Sequence, residues 1–192
     1  LWPIFRGDQR LSGSAIGTLS TNLLLRWSFA VGDALKSSPV LGHGCAYIGA
    51  DNGTVYALSI DAGTQVWLFV AGAAIEAPPV LIGDLLVVGA LDGVVYALDA
   101  RNGAPRWRAA TDGKIVGSAN WAATDDGRTL ILVGSYDNCM YAFDAATGVR
   151  VWRFKTGNYI NGAPAVANGM VVFGGCDAQL RALCVTSGVE LV

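Results

Sequence analysis

The sequence predicts an all-β fold, a β-propeller of four-stranded antiparallel blades with about four blades in this chain. Three observations carry that expectation. First, residues 55–67 read Val-Tyr-Ala-Leu-Ser-Ile-Asp-Ala-Gly-Thr-Gln-Val-Trp, return at 95–107 and 140–152, and begin a fourth copy at Leu180. The shared frame is Tyr-Ala-Leu-x-x-x-x-Gly-x-x-x-Trp. Its tryptophans, Trp27, Trp67, Trp107 and Trp152, are spaced by 40, 40 and 45 residues, and a period near 40 marks a solenoid or a propeller. Second, each unit holds four short apolar runs separated by Gly, Asp or Asn, the pattern of four strands joined by tight turns. Third, no stretch keeps a helical period for three turns.

Taken in order, residues 1–23 are non-repetitive. Trp2 and Phe5 are expected to pack this segment onto the outside or bottom of the fold, with Arg6 in a turn. Arg6-Gly7-Asp8 spells an adhesion tripeptide, but three common residues match by chance and the structural role is preferred. Residues 24–192 hold the repeats, at about 37–70, 77–110, 117–155 and 162–192, with residues 24–30 around Trp27 as an outer strand that lacks a blade of its own. In the first unit the strands are 38–41, 46–49, 54–58 and 66–70. Asn52-Gly53 and Asp92-Gly93 read as two-residue hairpin turns, which need φ > 0 at both positions, and Asp137-Asn138 as a weaker version. The five extra residues of the third unit fall in a polar loop at 123–129.

The frame has a packing logic. Tyr56, Tyr96 and Tyr141 share one sheet face with the Leu or Phe two residues on, and the intervening Ala faces the neighbouring blade. Gly63, Gly103 and Gly148 let backbone approach a ring, and Trp27, Trp67, Trp107 and Trp152 fill the wedge between blades. The fourth copy departs, with Arg181 for Tyr, Cys184 for Asp and Val192 for Trp, and this is where a partner strand is expected. The first copy has Ser59 at the Asp position.

Composition excludes several classes. Hydrophobic residues make up 53% and charged residues 15%, with 25 glycines and a net charge of −2. No apolar run reaches the ~18–20 residues of a membrane helix, and a nucleic-acid binder would carry a basic face. Cys45, Cys139, Cys176 and Cys184 form no Cys-x-x-Cys pair, and His43 is the one histidine, so no zinc pattern exists and the cysteines read as small apolar filler on strands. Asp51, Asp92, Asp137 and Asp177 recur at one turn, where Asp shapes tight turns. No phosphate-binding Gly-x-x-x-x-Gly-Lys-Ser/Thr occurs.

Residues 97–107, Ala-Leu-Asp-Ala-Arg-Asn-Gly-Ala-Pro-Arg-Trp, and 142–152, Ala-Phe-Asp-Ala-Ala-Thr-Gly-Val-Arg-Val-Trp, resemble the tryptophan-docking motif of PQQ-like (quinoprotein-type) β-propeller repeats. The Trp-Pro-x-Phe-Arg-Gly start and the Ser-Ser-Pro-Val entry at 37–40 resemble the same superfamily. The resemblance implies a ring of about seven or eight blades, of which this chain is half. It implies a partner as well, either the rest of its own propeller or a second copy forming an eight-bladed homodimer, and a periplasmic or cell-envelope location. The superfamily includes PQQ-dependent dehydrogenases, outer-membrane assembly proteins and binding propellers.

The axial mouth is expected at the start of each innermost strand: Lys36, Glu76, Val116 and Asn161. Glu76 and Asn161 carry hard oxygens, and Lys36 can pair with a carboxylate. Calcium takes ~6–8 oxygens, so no metal site, catalytic residue or cofactor is expected, with PQQ and Ca²⁺ as the alternative. The resulting expectation is a non-catalytic binding or scaffolding propeller that engages a small molecule or protein partner at the axial face. The alternative is a fragment of a PQQ-dependent oxidoreductase whose other blades supply the cofactor site.

Overall fold

The computed structural model describes residues 1–18 and 20–191, and Val192 lies outside them. Blade 1 is formed by β1 (Val40–Gly42), β2 (Cys45–Gly49), β3 (Thr54–Ser59) and β4 (Gln65–Val70). Blade 2 has β5 (Val80–Ile82), β6 (Leu85–Gly89), β7 (Val94–Asp99) and β8 (Pro105–Ala110). Blade 3 has β9 (Asn120–Ala123), β10 (Thr129–Gly134), β11 (Cys139–Asp144) and β12 (Arg150–Lys155). Blade 4 has β13 (Ala165–Ala167), β14 (Met170–Gly174) and β15 (Leu180–Cys184). Each sheet is an antiparallel meander in chain order. The fourth strand of blade 4 is begun only by a Leu183–Glu190 bridge and a bond from Leu191 N–H to the Ala182 carbonyl. No helix of the described residues is long and apolar enough to cross a membrane.

The frame residues set how blades stack. Val55 and Ala57 of blade 1 join one cluster with Leu81, Leu86, Val88 and Leu98 of blade 2. Tyr56 and Leu58 face the other way, against Trp27, Phe29 and Val31. Every outer strand shifts register at one place, between Ala57 and Leu58, Ala97 and Leu98, or Ala142 and Phe143. The bulge puts each tryptophan opposite the small alanine (Ala57–Trp67, Ala97–Trp107, Ala142–Trp152) and turns it toward the next blade.

There each indole meets the turn glycine of the following unit. Trp27, Trp67, Trp107 and Trp152 lie against Gly63, Gly103, Gly148 and Gly188, where an added Cβ would come within 2.5–2.6 Å of the ring. All four glycines have φ of 67–74°, open to Gly at no steric cost. Each indole N–H also donates to a carbonyl of that unit: Ile60 at 2.7 Å, Ala100 at 3.0 Å, Ala145 at 2.8 Å and Val185 at 2.7 Å.

Several expectations are corrected. Residues 24–30 carry no ladder among the described residues, and Trp27 and Phe29 within them pack on blade 1. Strands β1, β5 and β13 start after their prolines, which cannot donate to a ladder. Asn52-Gly53 and Asp92-Gly93 are not two-residue hairpins. Only the glycines have positive φ, at 78° and 79°, and the loops close through Gly53 N–H to the Ala50 carbonyl and Gly93 N–H to the Ala90 carbonyl. This is the longer hairpin loop in which a turn is followed by one left-handed residue. Positive φ at both central positions occurs instead at His43-Gly44 and Asn168-Gly169. Cys176 is exposed in a turn rather than on a strand, whereas Cys139 is buried.

The N-terminal segment lies on the inner strands rather than outside. Ile4, not Trp2 or Phe5, is the buried residue, 1% exposed in a cluster with Val80, Val87, Ile131 and Tyr141. Arg6 (φ 62°) and Gly7 (φ 89°) do form a turn, and Asp8 within it is engaged by Ser12. Trp2 exchanges backbone bonds with Leu41, Pro3 accepts from Leu81 N–H at 2.7 Å, and Gln9 accepts from Val166 N–H at 2.7 Å. The Gln9 side chain donates to the Trp121 carbonyl at 2.7 Å. Leu41, Leu81, Trp121 and Val166 hold one equivalent position in the four innermost strands, so the segment runs as a strap across all of them.

Two outcomes follow. Ile4→Ala removes a fully buried side chain and lowers unfolding free energy by about 2–5 kcal/mol in a urea titration. Ala178 takes the left-handed conformation (φ 61°) that Gly53 and Gly93 hold in blades 1 and 2. Ala178→Gly therefore raises stability by about 0.5–1 kcal/mol, read as a thermal midpoint about 1–4 °C higher.

Candidate functional site

The mouth is built at the end opposite the strap. Lys36, Glu76, Val116 and Asn161 precede the innermost strands by a few residues. The turns between the second and third strands lie at the same end, tied there by Asp51 N–H to the Ala34 carbonyl, Leu91 to Ala74, Tyr136 to Lys114 and Cys176 to Tyr159. The Lys36 ammonium sits between two carboxylates, 2.8 Å from Asp51 Oδ2 and 2.8 Å from Glu76 Oε1. Hydrogen bonds to Asp51 and then Glu76 hold its pKa well above the ordinary lysine range. Asn161 is exposed at the far end of the arc and makes no side-chain hydrogen bond among the described residues. The three mouth candidates therefore divide into one joined pair and one isolated amide.

Asp51 is the residue missed in the sequence, through a register error of one. The turn position holds Asn52, Asp92, Asp137 and Asp177, whose side-chain oxygens accept the N–H of Thr54, Val94, Cys139 and Gln179. Asp51 occupies instead the position of Leu91, Tyr136 and Cys176. That position faces the mouth, and Asp51 Oδ1 is buried without a partner. Counting back 40 residues from Asp92 reaches Asn52, and that count was the available signal. On the other side of the arc, Tyr136 at the same position stacks on Tyr159, ring centroids 4.6 Å apart and planes 10° apart. The mouth thus has an ionic half on blades 1 and 2 and an aromatic half on blades 3 and 4.

The frame tyrosines and the turn acids tie neighbouring units together. Tyr96 and Tyr141 donate to Asp92 and Asp137. Asp137 and Asp177 accept N–H groups of Asp112 and Gly157 from the preceding unit. Arg181 keeps this contact in blade 4 by an ion pair to Asp177 at 2.8 Å, with Glu190 3.4 Å away. It is 9% exposed, so Arg181 is closed into its own blade and does not itself offer a docking point. The Asp of the frame has its own role: Asp99 and Asp144 accept turn N–H groups from Arg101 and Ala146. Cys184 fills that slot in blade 4, where hydrogen bonds from Ser187 and Thr186 bring its thiol down to about 7. His43 contacts the Gly83 carbonyl at 2.8 Å.

Both mouth carboxylates already face an ammonium, Asn161 stands apart, and no cluster of three or more His, Cys, Asp or Glu side chains suits a metal among the described residues. A cavity of about 540 Å³ between Asp8, Gln9 and Arg10 and the strands of Trp121 and Val166 lies at the strap end, away from these groups.

A family model described as outer membrane protein assembly factor BamB matches residues 25–122 and again residues 91–191. The chain belongs to this family of PQQ-like propeller repeats. BamB from Moraxella catarrhalis is 26% identical, with a TM-score of 0.74 over 86% of this chain and 54% of that one. The quinohemoprotein alcohol dehydrogenase from Comamonas testosteroni gives 0.81 over 100% of this chain and 40% of that one at 19% identity, a likeness of fold alone. The computationally designed Ika4 protein gives 0.70 at 16% identity, over 81% of this chain and 94% of that one. No curated protein matches by sequence. The chain spans about half the length of the natural structures it resembles, and its size fits completion by further blades or partners.

Lys36→Met leaves two carboxylates facing each other and lowers the thermal midpoint at neutral pH, while Lys36→Arg keeps most of it. The raised pKa of Lys36 makes its contribution full below the unfolded lysine range and lost as pH rises through the folded value. Asp177 has the opposite sign. The Arg181 guanidinium brings it from 3.8 to about 2, so its contribution is present above 3.8 and lost as pH falls toward 2. Asp177→Asn flattens that part of an acid unfolding profile.

Proposed function

We propose that this chain is half of a non-catalytic binding or scaffolding propeller of the BamB type, which engages a ligand or protein partner at its axial mouth. The ring is completed by four further blades, from the rest of its own propeller or from a second copy. The observation that carries this reading is the division of the axis. The strap covers the same position of all four innermost strands at one end. The other end holds Lys36 between Asp51 and Glu76 and presents the Tyr136–Tyr159 stack, a surface suited to recognition. A scaffold role agrees with the family description as an assembly factor and with a periplasmic or cell-envelope setting. No cofactor is required on these blades.

The dehydrogenase reading makes a different demand, since the absent blades would have to supply nearly all cofactor ligands. Titration of the protein with PQQ and Ca²⁺ separates the two. The expected outcome is an unchanged thermal midpoint and no reduction of an artificial electron acceptor with alcohol or sugar substrates. A saturable shift accompanied by turnover overturns the scaffold reading.

A further inference from the structure

At the outer rim, the joints between blades open into grooves whose chemistry changes from one joint to the next. One wall of each groove is the side of an outer strand that looks back toward the preceding blade, opposite to its tryptophan. On β8 that side carries Arg106 and Arg108, and on β12 it carries Arg153 and Lys155, all four exposed. With Arg150, these two strands hold five of the 13 cationic residues of the chain and none of its 15 acidic ones. A chain of net charge −2 thus gathers positive charge on one stretch of its rim.

Arg108 and Arg153 are equivalent residues, each paired across the sheet with the frame tyrosine of its blade, Tyr96 or Tyr141. The loop of the preceding unit offers them different neighbours. Between blades 2 and 3 it offers Asp112, whose carboxylate lies 3.8 Å from Arg153. Between blades 1 and 2 the equivalent residue is Gly72. The backbone N–H of each is tied to the following unit, Gly72 to the Tyr96 hydroxyl at 3.0 Å and Asp112 to Asp137 at 2.9 Å, so the loops run alike and the carboxylate is what differs. Arg108 accordingly has no ion-pair partner among the described residues, whereas Arg106 beside it is held by Asp99 at 2.6 Å. The joint that lacks the carboxylate also has room for one. A cavity of about 560 Å³ opens there between Phe69, Gly72, Tyr96, Trp107 and Arg108, a size typical of ligand sites. Phe69 and Tyr96 form its apolar side, tilted with ring centroids 5.5 Å apart. The groove lies inside the stack, between two blades with all four strands in place.

We propose that the rim groove between blades 1 and 2 docks an extended acidic segment of a partner protein. One carboxylate sits on Arg108, in the place that Asp112 takes beside Arg153, and a neighbouring apolar side chain of the segment rests on Phe69 and Tyr96. A free guanidinium takes a carboxylate through two parallel hydrogen bonds, and the rings supply buried area beside it. Further acidic residues of the same segment meet Arg153 and Lys155 on the next blade. The concave, ring-lined wall suits a chain segment better than a flat lipid surface, and the net charge has the wrong sign for a nucleic-acid binder. This surface is separate from the axial mouth and does not depend on what the mouth engages.

The test is fluorescence anisotropy of a short labelled peptide of Asp and Glu residues interrupted by Phe, titrated with the full chain. Binding is expected to be saturable, to weaken with added salt, and to fall by about tenfold or more in Arg108→Ala. Asp112→Ala frees Arg153 and tightens it. Arg10→Ala removes the same charge from the strap and leaves it unchanged, with circular dichroism showing that all three variants fold alike. The peptide with Lys at every acidic position does not bind, and the peptide with Ser at every Phe binds more weakly. An absence of saturable binding, indifference to Arg108→Ala, or an equal loss in Arg10→Ala overturns the proposal. So does tighter binding of phosphatidylglycerol vesicles or single-stranded RNA through Arg108, which assigns the groove to a different polyanion.

Discussion

The structure depends on an indole laid over a glycine. Four times, a tryptophan closing one unit covers the turn of the next and donates its N–H to the carbonyl three residues before that glycine. The contact requires a glycine with positive φ, because any Cβ would enter the ring. In three of the four an alanine lies across the strand and a bulge aims the indole out of its own sheet. Those needs account for nearly every fixed letter of the repeat. A large planar side chain with one polar edge suits the task, since it buries area and satisfies a carbonyl that would otherwise be shielded from water.

What could be read from the sequence is what repeats. The period, the four strands per unit, the alanine facing the next blade and the longer third unit all follow from comparing copies, because each copy meets the same neighbours. What could not be read is what happens once. Ile4 joins a core formed by residues more than 70 positions away, and no local pattern encodes that. The Lys36–Asp51–Glu76 joint arises where blade 1 departs from its copies, and Asp51 was hidden by standing beside the asparagine that performs the repeated role. The turn at Asn52-Gly53 was misread because two loop lengths share one dipeptide signature, and the hydrogen bond from Gly53 to Ala50 decides between them.

The departures in the fourth copy separate by physics. Arg181 preserves the tie to the turn acid by exchanging a phenol for a guanidinium, which is charge-assisted and reaches Glu190 as well. Cys184 keeps the acceptor slot of the frame aspartate but fills it with sulfur. Neither opens blade 4.

The strap has a consequence for how the chain behaves as a polymer. A stack in which each blade touches only its neighbours loses order one unit at a time, because its stability is a sum of nearest-neighbour interfaces. Residues 2–9 break that rule by bonding the first, second, third and fourth innermost strands at one level. They join segments separated by more than 150 residues, and so convert a linear array into a unit whose parts melt together. They are also among the last residues to find their partners, because Val166 must be in place before Gln9 can settle. The repeats can assemble in order of synthesis, and the four blades are locked together only when residues 2–9 settle against β13.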